Sequence, residues 1–195
     1  VIDDDDAMRR ALERQLVTEG YRVLLFANAH AFLDQAPQAE VACILSDVRM
    51  PGLSGLDLQA TLAQAKITWP MVFISGHADV PTSVQAMKAG AVAFLAKPFA
   101  KAELLAAVGD ALARSRQQVQ HNEQLSGLRQ RHRSLTAREA EVFALVVQGL
   151  LNKLVADRLG IAERTVKIHR ARVMEKMQAG SLAELVRMAQ KLGEA

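Results

Sequence analysis

Asp47 ends an apolar run, Val41 to Ser46, and is followed by Val48-Arg49-Met50-Pro51-Gly52. A carboxylate at the end of a buried strand is costly unless something cationic meets it. Lys97 closes a second apolar run, Ala93-Phe94-Leu95-Ala96, just before Pro98, and Asp3 and Asp4 follow the apolar start Val1-Ile2. Should these three run ends meet at one edge, they gather two or three acids and one lysine. Hard carboxylate oxygens suit a divalent metal ion, and a lysine beside them suits the charge of a transferring phosphoryl group.

The surrounding pattern supplies elements that could bring the ends together. Strands are expected at 1–3, 21–26, 41–46, 71–75 and 92–96. Helices are expected at about 6–19, 29–36, 55–66, 79–89 and from 101 onward, with turns at Gly20, Pro51-Gly52, Trp69-Pro70 and Gly90. Five βα units within residues 1–110 imply an α/β domain, a doubly wound parallel sheet with helices on both faces. Ligands of such sheets sit outside the carboxyl ends of the strands, near the switch in strand order. Asp3, Asp4, Asp47, Ser75 and Lys97 all fall at carboxyl ends. Asp5 and Asp6 read instead as acids that favour a helix start, and His77 as a loop residue with no chemistry assigned to it.

Composition bounds the rest. A chain of 195 residues that is 50% hydrophobic can build one or two cores. It has no apolar run near the ~20 residues of a membrane span and no leader at its start, so a soluble, cytoplasmic protein is expected. Cys43 is the one cysteine and falls mid-strand, as a small buried hydrophobe; with five histidines it makes no zinc spacing. Residues 1–110 carry nine basic against thirteen acidic side chains, and residues 111–195 carry fifteen against eight. An acidic half joined to a basic half suggests a regulated nucleic-acid binder.

Residues 111–134 are rich in Gln and Arg. They are expected to be a largely helical, mostly solvated linker that continues the helix begun at 101 and breaks near Ser126-Gly127. Arg129, Arg131 and Arg133 could touch DNA phosphate or form a solvated basic tether. Residues 135–195 read as an all-α domain of four helices. Thr136 and Glu139 form a capping box for a helix over 137–148. A short helix from Asn152 closes at Gly160, a basic helix follows to Met177, and a last one covers about 181–192 with Ser181 as its cap. Helix, glycine-containing turn and basic helix make a helix-turn-helix. On the basic helix Val166, Val173 and Met177 share an inner face. Arg164, Ile168, Ala171 and Glu175 share the outer one, with Lys167 and Arg172 at its edges. An exposed Ile168 among basic residues suits a thymine methyl in the major groove. His169 lies nearer the inner face, as a packing or phosphate-adjacent residue.

Val-Ile-Asp-Asp-Asp, Asp-Val-Arg-Met-Pro-Gly-Leu-Ser-Gly, Phe-Ile-Ser-Gly-His-Ala-Asp-Val-Pro and Phe-Leu-Ala-Lys-Pro-Phe resemble a response-regulator receiver domain. Leu-Thr-Ala-Arg-Glu-Ala-Glu-Val and Ala-Asp-Arg-Leu-Gly-Ile-Ala-Glu-Arg-Thr-Val-Lys-Ile-His resemble the LuxR-type DNA reader. Together they resemble the NarL/FixJ family of two-component response regulators, FixJ branch. The resemblance implies that Asp47 accepts a phosphoryl group from a sensor histidine kinase. It implies Mg²⁺ on Asp4, Asp47 and the Arg49 carbonyl, with Asp3 acting through water, and Lys97 and Ser75 on phosphoryl oxygens. Ser75 and Phe94 would form the switch, and the face of helix 79–89, strand 92–96 and the start of helix 101 would form a homodimer on phosphorylation. Double-stranded DNA would be met by Lys153, Arg164, Thr165, Lys167, Ile168, Ala171 and Arg172, with Lys167 and Ile168 at base-reading positions, and RNA polymerase is a further expected partner. A receiver's first strand normally starts several residues before its acids. A trimmed chain with a weakened first strand and an intact acidic pair is therefore expected here. The same residues leave two other readings, an Asp-nucleophile phosphohydrolase and a constitutive, phosphorylation-independent DNA binder. The favoured reading is no enzyme beyond its own phosphoryl transfer and dephosphorylation.

Overall fold

The computed structural model describes residues 1–35, 37, 39–76 and 79–194, so the loop expected around His77 lies outside the described residues. The chain divides into two compact units, Val1–Val119 and Gln120–Ala195.

In the first unit, α1 (Asp6–Thr18) and α2 (Ala29–Gln35) precede β1 (Ile44–Asp47). Then α3 (Gly55–Gln64), β2 (Met71–Ser75), α4 (Val80–Lys88) and β3 (Ala93–Ala96) alternate before α5 (Lys101–Arg133). The strands run parallel in the order β1-β2-β3, with Asp47 opposite Ile74 and Ser75 opposite Ala96. Ile2 bridges Ser46 on one side and Phe26 on the other, both in parallel. Strand order therefore reverses at Ile2, and the acids after Ile2 and at the end of β1 flank that crevice.

The period-2 pattern of the strands divides the core. Ile44, Met71 and Phe73 pack with Phe32, Leu58, Leu62 and Ala86 from α2, α3 and α4. Leu45, Val72 and Ile74 pack with Leu12, Leu16, Leu104 and Val108 from α1 and α5. Asp5 caps α1, accepting from the Ala7 amide at 2.8 Å and the Met8 amide at 3.3 Å, while Asp6 pairs with the largely covered Arg9 and the exposed Arg10.

Three expectations need correction. The first strand is weakened as expected, residues 1–3 keeping only the bridges at Ile2, whereas the strand expected at 21–26 is reduced to the bridge at Phe26. A strand exists only where a neighbour pairs with it, and residues 21–26 pair with the short segment Val1–Asp3, through bonds such as Phe26 N–H to the Val1 carbonyl at 2.9 Å and Asp3 N–H to the Phe26 carbonyl at 3.3 Å. The third strand starts at Ile44 rather than residue 41, because pairing begins where its neighbour does, at Pro70 and Met71. Finally, α5 does not break at Ser126-Gly127 but continues to Arg133. One helical glycine costs about 1 kcal/mol, whereas the neighbouring Leu128 is buried, which contributes roughly 1.5–3 kcal/mol.

In the second unit, the end of α5 joins α6 (Ala137–Val147), α7 (Asn152–Leu159), α8 (Glu163–Met177) and α9 (Leu182–Leu192). One apolar cluster holds them: Leu128, Val142, Phe143, Val146, Val155, Val166, Val173, Met177 and Leu185 are all buried. Thr136 and Glu139 make the expected capping box, each side chain bonded to the other's backbone amide. Gly160 closes α7 in the left-handed conformation at φ 62°.

The box has a second function. The Glu139 carboxylate is buried and lies 2.6 Å from the Lys176 ammonium. That hydrogen bond, with the Thr136 amide, lowers the Glu139 pKa from its ordinary 4.5 to about 2. A carboxyl harder to protonate when folded stabilises the fold fully above about pH 4.5 and loses that contribution as pH falls toward 2. Acid titration of the second unit's unfolding should show this loss. Glu139→Gln should flatten it and lower stability at pH 7.

Candidate functional site

The ends of three segments converge at the switch point. The Lys97 ammonium lies 3.0 Å from Asp3 Oδ2 and 2.9 Å from Asp47 Oδ1. The Asp3 side chain is only 2% exposed and that of Lys97 21%. The lysine is held from its own backbone, whose N–H donates to the Ser75 carbonyl at 2.8 Å. Burial pulls the Lys97 pKa down, but hydrogen bonds to Asp47 and Asp3, aided by their charges, outweigh it and leave it above the ordinary 10.5. Asp47 Oδ2 accepts from the Arg49 amide at 2.7 Å, and Asp3 Oδ1 from the Asp5 amide at 2.9 Å. One ammonium thus serves two carboxylates, which leaves the cluster one negative charge in excess.

Asp3 and Asp4 have separate environments: Asp3 is turned into the lysine, whereas Asp4 is exposed. The three acids therefore do not close around one point. Among the described residues, no group of three or more His, Cys, Asp or Glu side chains could hold a metal ion. The remaining donor set is still of the right kind for Mg²⁺. The exposed Asp4 carboxylate, Asp47 and the Arg49 carbonyl are hard oxygens, and Mg²⁺ keeps several waters beside one or two carboxylates. The excess negative charge favours a second cation.

Ser75 is buried at the end of β2. Phe94 lies half-buried in β3, its ring 6.5 Å from that of Phe73 and tilted by 43°. Burial pushes the half-buried Cys43 thiol up to about 11, which disfavours its thiolate.

Gly55 matters in a way that no local pattern shows. A Cβ there would sit 2.3 Å from the Asp47 carbonyl oxygen and 3.0 Å from the Phe73 ring. Only glycine lets the start of α3 pass so close beneath Asp47. Gly55→Ala should displace that backbone and destabilise the first unit by about 1–3 kcal/mol in urea unfolding.

In the second unit, Val166, Val173 and Met177 are buried and fix the orientation of α8. Arg164, Lys167, Ala171 and Arg172 are exposed, Thr165 is half-buried, and Ile168 is 48% exposed. Lys167 pairs with Glu163 at 3.2 Å in the open, an interaction worth little and easily exchanged for another anion. Arg170 donates to Asn152 Oδ1 at 3.0 Å, tying α8 to the start of α7, where Lys153 is exposed. His169 is half-buried, with its Nδ1 buried and unpartnered among the described residues. Arg131 is not a free tether, since it donates to Gln178 Oε1 at 2.8 Å.

The comparisons with known proteins divide along the same lines. Residues 1–109 match the response regulator receiver domain, and residues 133–189 match the bacterial regulatory proteins of the luxR family. Nodulation protein W of Bradyrhizobium diazoefficiens is 46% identical over 193 residues, covering 99% of this chain and 85% of that protein. The transcriptional regulatory protein FixJ of Azorhizobium caulinodans is 46% identical over 195 residues, covering 100% of this chain and 92% of that protein. Among solved structures, the response regulator StyR is 42% identical with a TM-score of 0.84, covering 97% of this chain and 96% of its own. Full-length FixJ from B. japonicum is also 42% identical, with a TM-score of 0.59 and coverage of 100% and 96%.

Proposed function

This chain belongs to the NarL/FixJ family of two-component response regulators, and we propose that Asp47 is the residue through which its DNA binding is controlled. It is a transcription regulator, with a receiver domain joined to a LuxR-type DNA-binding domain. The observation that carries the proposal is the Lys97 ammonium held between Asp3 and Asp47.

In the proposed reaction, an Asp47 oxygen attacks the phosphorus of a phosphohistidine on the partner kinase. The P–N bond breaks and the imidazole leaves with its electron pair, giving an acyl phosphate. Receiver domains generally bind Mg²⁺ at this position; here Asp4, Asp47 and the Arg49 carbonyl would hold it, with Asp3 through water, and it would neutralise phosphoryl oxygens. Lys97 exchanges part of its carboxylate pairing for a phosphoryl oxygen, and the Ser75 hydroxyl donates to another. Gly76 leaves room for the donor and for the water that later hydrolyses the product. The modification replaces the single carboxylate charge with a phosphate group of roughly −1.5 to −2 charges. A Ser75 drawn toward them frees space for Phe94 to move inward.

The division of labour proposed is reception by residues 1–110, connection by 111–134 and DNA reading by 135–195. Helix α4 leaves Val80 74% exposed and Val84 and Met87 partly so, an apolar face suited to a homodimer formed on phosphorylation. Lys153, Arg164, Thr165, Lys167, Ile168, Ala171 and Arg172 meet duplex DNA, with RNA polymerase as a further partner in the cytoplasm. Among the described residues, no helix is long and apolar enough to cross a membrane.

DNA selection with and without beryllofluoride tests the reading. The phosphoryl mimic should enrich paired half-sites and tighten their binding, and Asp47→Asn should abolish the difference. Equal affinity in the two proteins, with or without the mimic, would instead favour a constitutive binder.

A further inference from the structure

The two helices flanking α8 in the second unit differ from it in how they end. Helices α7 and α9 close on left-handed glycines, Gly160 at φ 62° and Gly193 at φ 77°. Helix α8 closes on Gln178 at φ 57°. Glycine is the residue of least strain at such a position, so a side chain retained there points to something the side chain does.

The Gln178 side chain reaches α5. Its Oε1 accepts from Arg131 Nη1 at 2.8 Å, in the last turn of α5. Two residues earlier on α8, the Lys176 ammonium donates to the Ser134 carbonyl at 3.0 Å, just past the end of α5, and to the buried Glu139. Leu128 of α5 packs in the same apolar cluster as Val173 and Met177 of α8. The last turn of α8 is therefore tied at two polar points, and over a shared core, to the end of the linker helix.

We propose that Gln178 is a positioning residue for the reading helix. With Arg131 it fastens the far end of α8 to α5, so that the reading face moves with α5 and does not rock against it. This rests on the assignment of α8 as the DNA-reading helix. Base-edge contacts need that orientation, whereas charge contacts with phosphate tolerate its loss. The tie therefore governs specific binding and leaves non-specific binding alone.

The test uses the full chain with beryllofluoride, a selected operator and a scrambled duplex. Gln178→Gly removes the side chain while easing the backbone, so the variant has no reason to misfold. Operator affinity should fall about fivefold, and binding to the scrambled duplex should be unchanged. Gln178→Glu keeps an acceptor for Arg131 and should retain operator affinity. Unchanged operator affinity in Gln178→Gly overturns the proposal, leaving the tie a structural bond. Lys167→Ala serves as the control: if it too leaves operator affinity intact, α8 is not the reader, and the positioning role falls with that assignment.

Discussion

Lys97→Met should cost the receiver unit about 3–5 kcal/mol, the penalty for breaking a buried ion pair by removing one partner. The methionine fills a similar volume, so the loss is electrostatic and not a cavity. Asp3 and Asp47 would be left as two largely buried carboxylates with no cation between them. The origin of the cost can be checked with a second substitution. Asp3→Asn in the Lys97→Met background removes one of the two negative charges and should recover most of the lost stability. In otherwise wild-type protein, the same Asp3→Asn should destabilise. That opposite sign is the signature of coupled charges. Mg²⁺ should also raise the unfolding midpoint more in Lys97→Met than in wild type, because it restores a cation beside Asp47. Urea unfolding of the four proteins, with and without Mg²⁺, measures both effects. If Lys97→Met unfolds at the wild-type midpoint, the lysine is not what makes the buried acids tolerable.

Much of this arrangement is legible in the sequence because it is written in local patterns. Apolar runs that end in Asp47, Ser75 and Lys97 locate strand ends, and the parallel topology then brings those ends to one edge. Which acid faces the lysine is not local. Asp3 and Asp4 are identical neighbours, and only the packing of Ile2 between Phe26 and Ser46 turns Asp3 inward. The continuation of α5 through Gly127 was illegible for a related reason. Propensity disfavours that residue, and what overrides it is the burial of Leu128 among helices that lie later in the chain. Pairs such as Arg131 with Gln178 and Glu139 with Lys176 join residues far apart in sequence. Gly55 reads only as the start of a helix until the Asp47 carbonyl is seen beside it. Where energetics are decided by neighbours distant in sequence, periodicity identifies the element and leaves its boundary or partner open.

The second large effect concerns the reading face. Ile168→Glu should reduce operator affinity by on the order of 100-fold or more. Two contributions act together: loss of an apolar contact with a thymine methyl, and a carboxylate brought against phosphates. A lost base contact alone is worth roughly 1–3 kcal/mol. The helix itself should survive, since Ile168 is exposed and glutamate is a good helix former. Lys167→Ala should act differently. It removes one cation, so affinity falls less steeply with salt, the slope of log affinity against log salt decreasing by about 1. Anisotropy titrations across a salt series distinguish the two, because Ile168→Glu must lose specific binding far more than binding to scrambled duplex. Should Ile168→Glu bind the operator as wild type does, the outer face of α8 does not enter the groove. The exposure of an isoleucine between basic side chains would then need another cause.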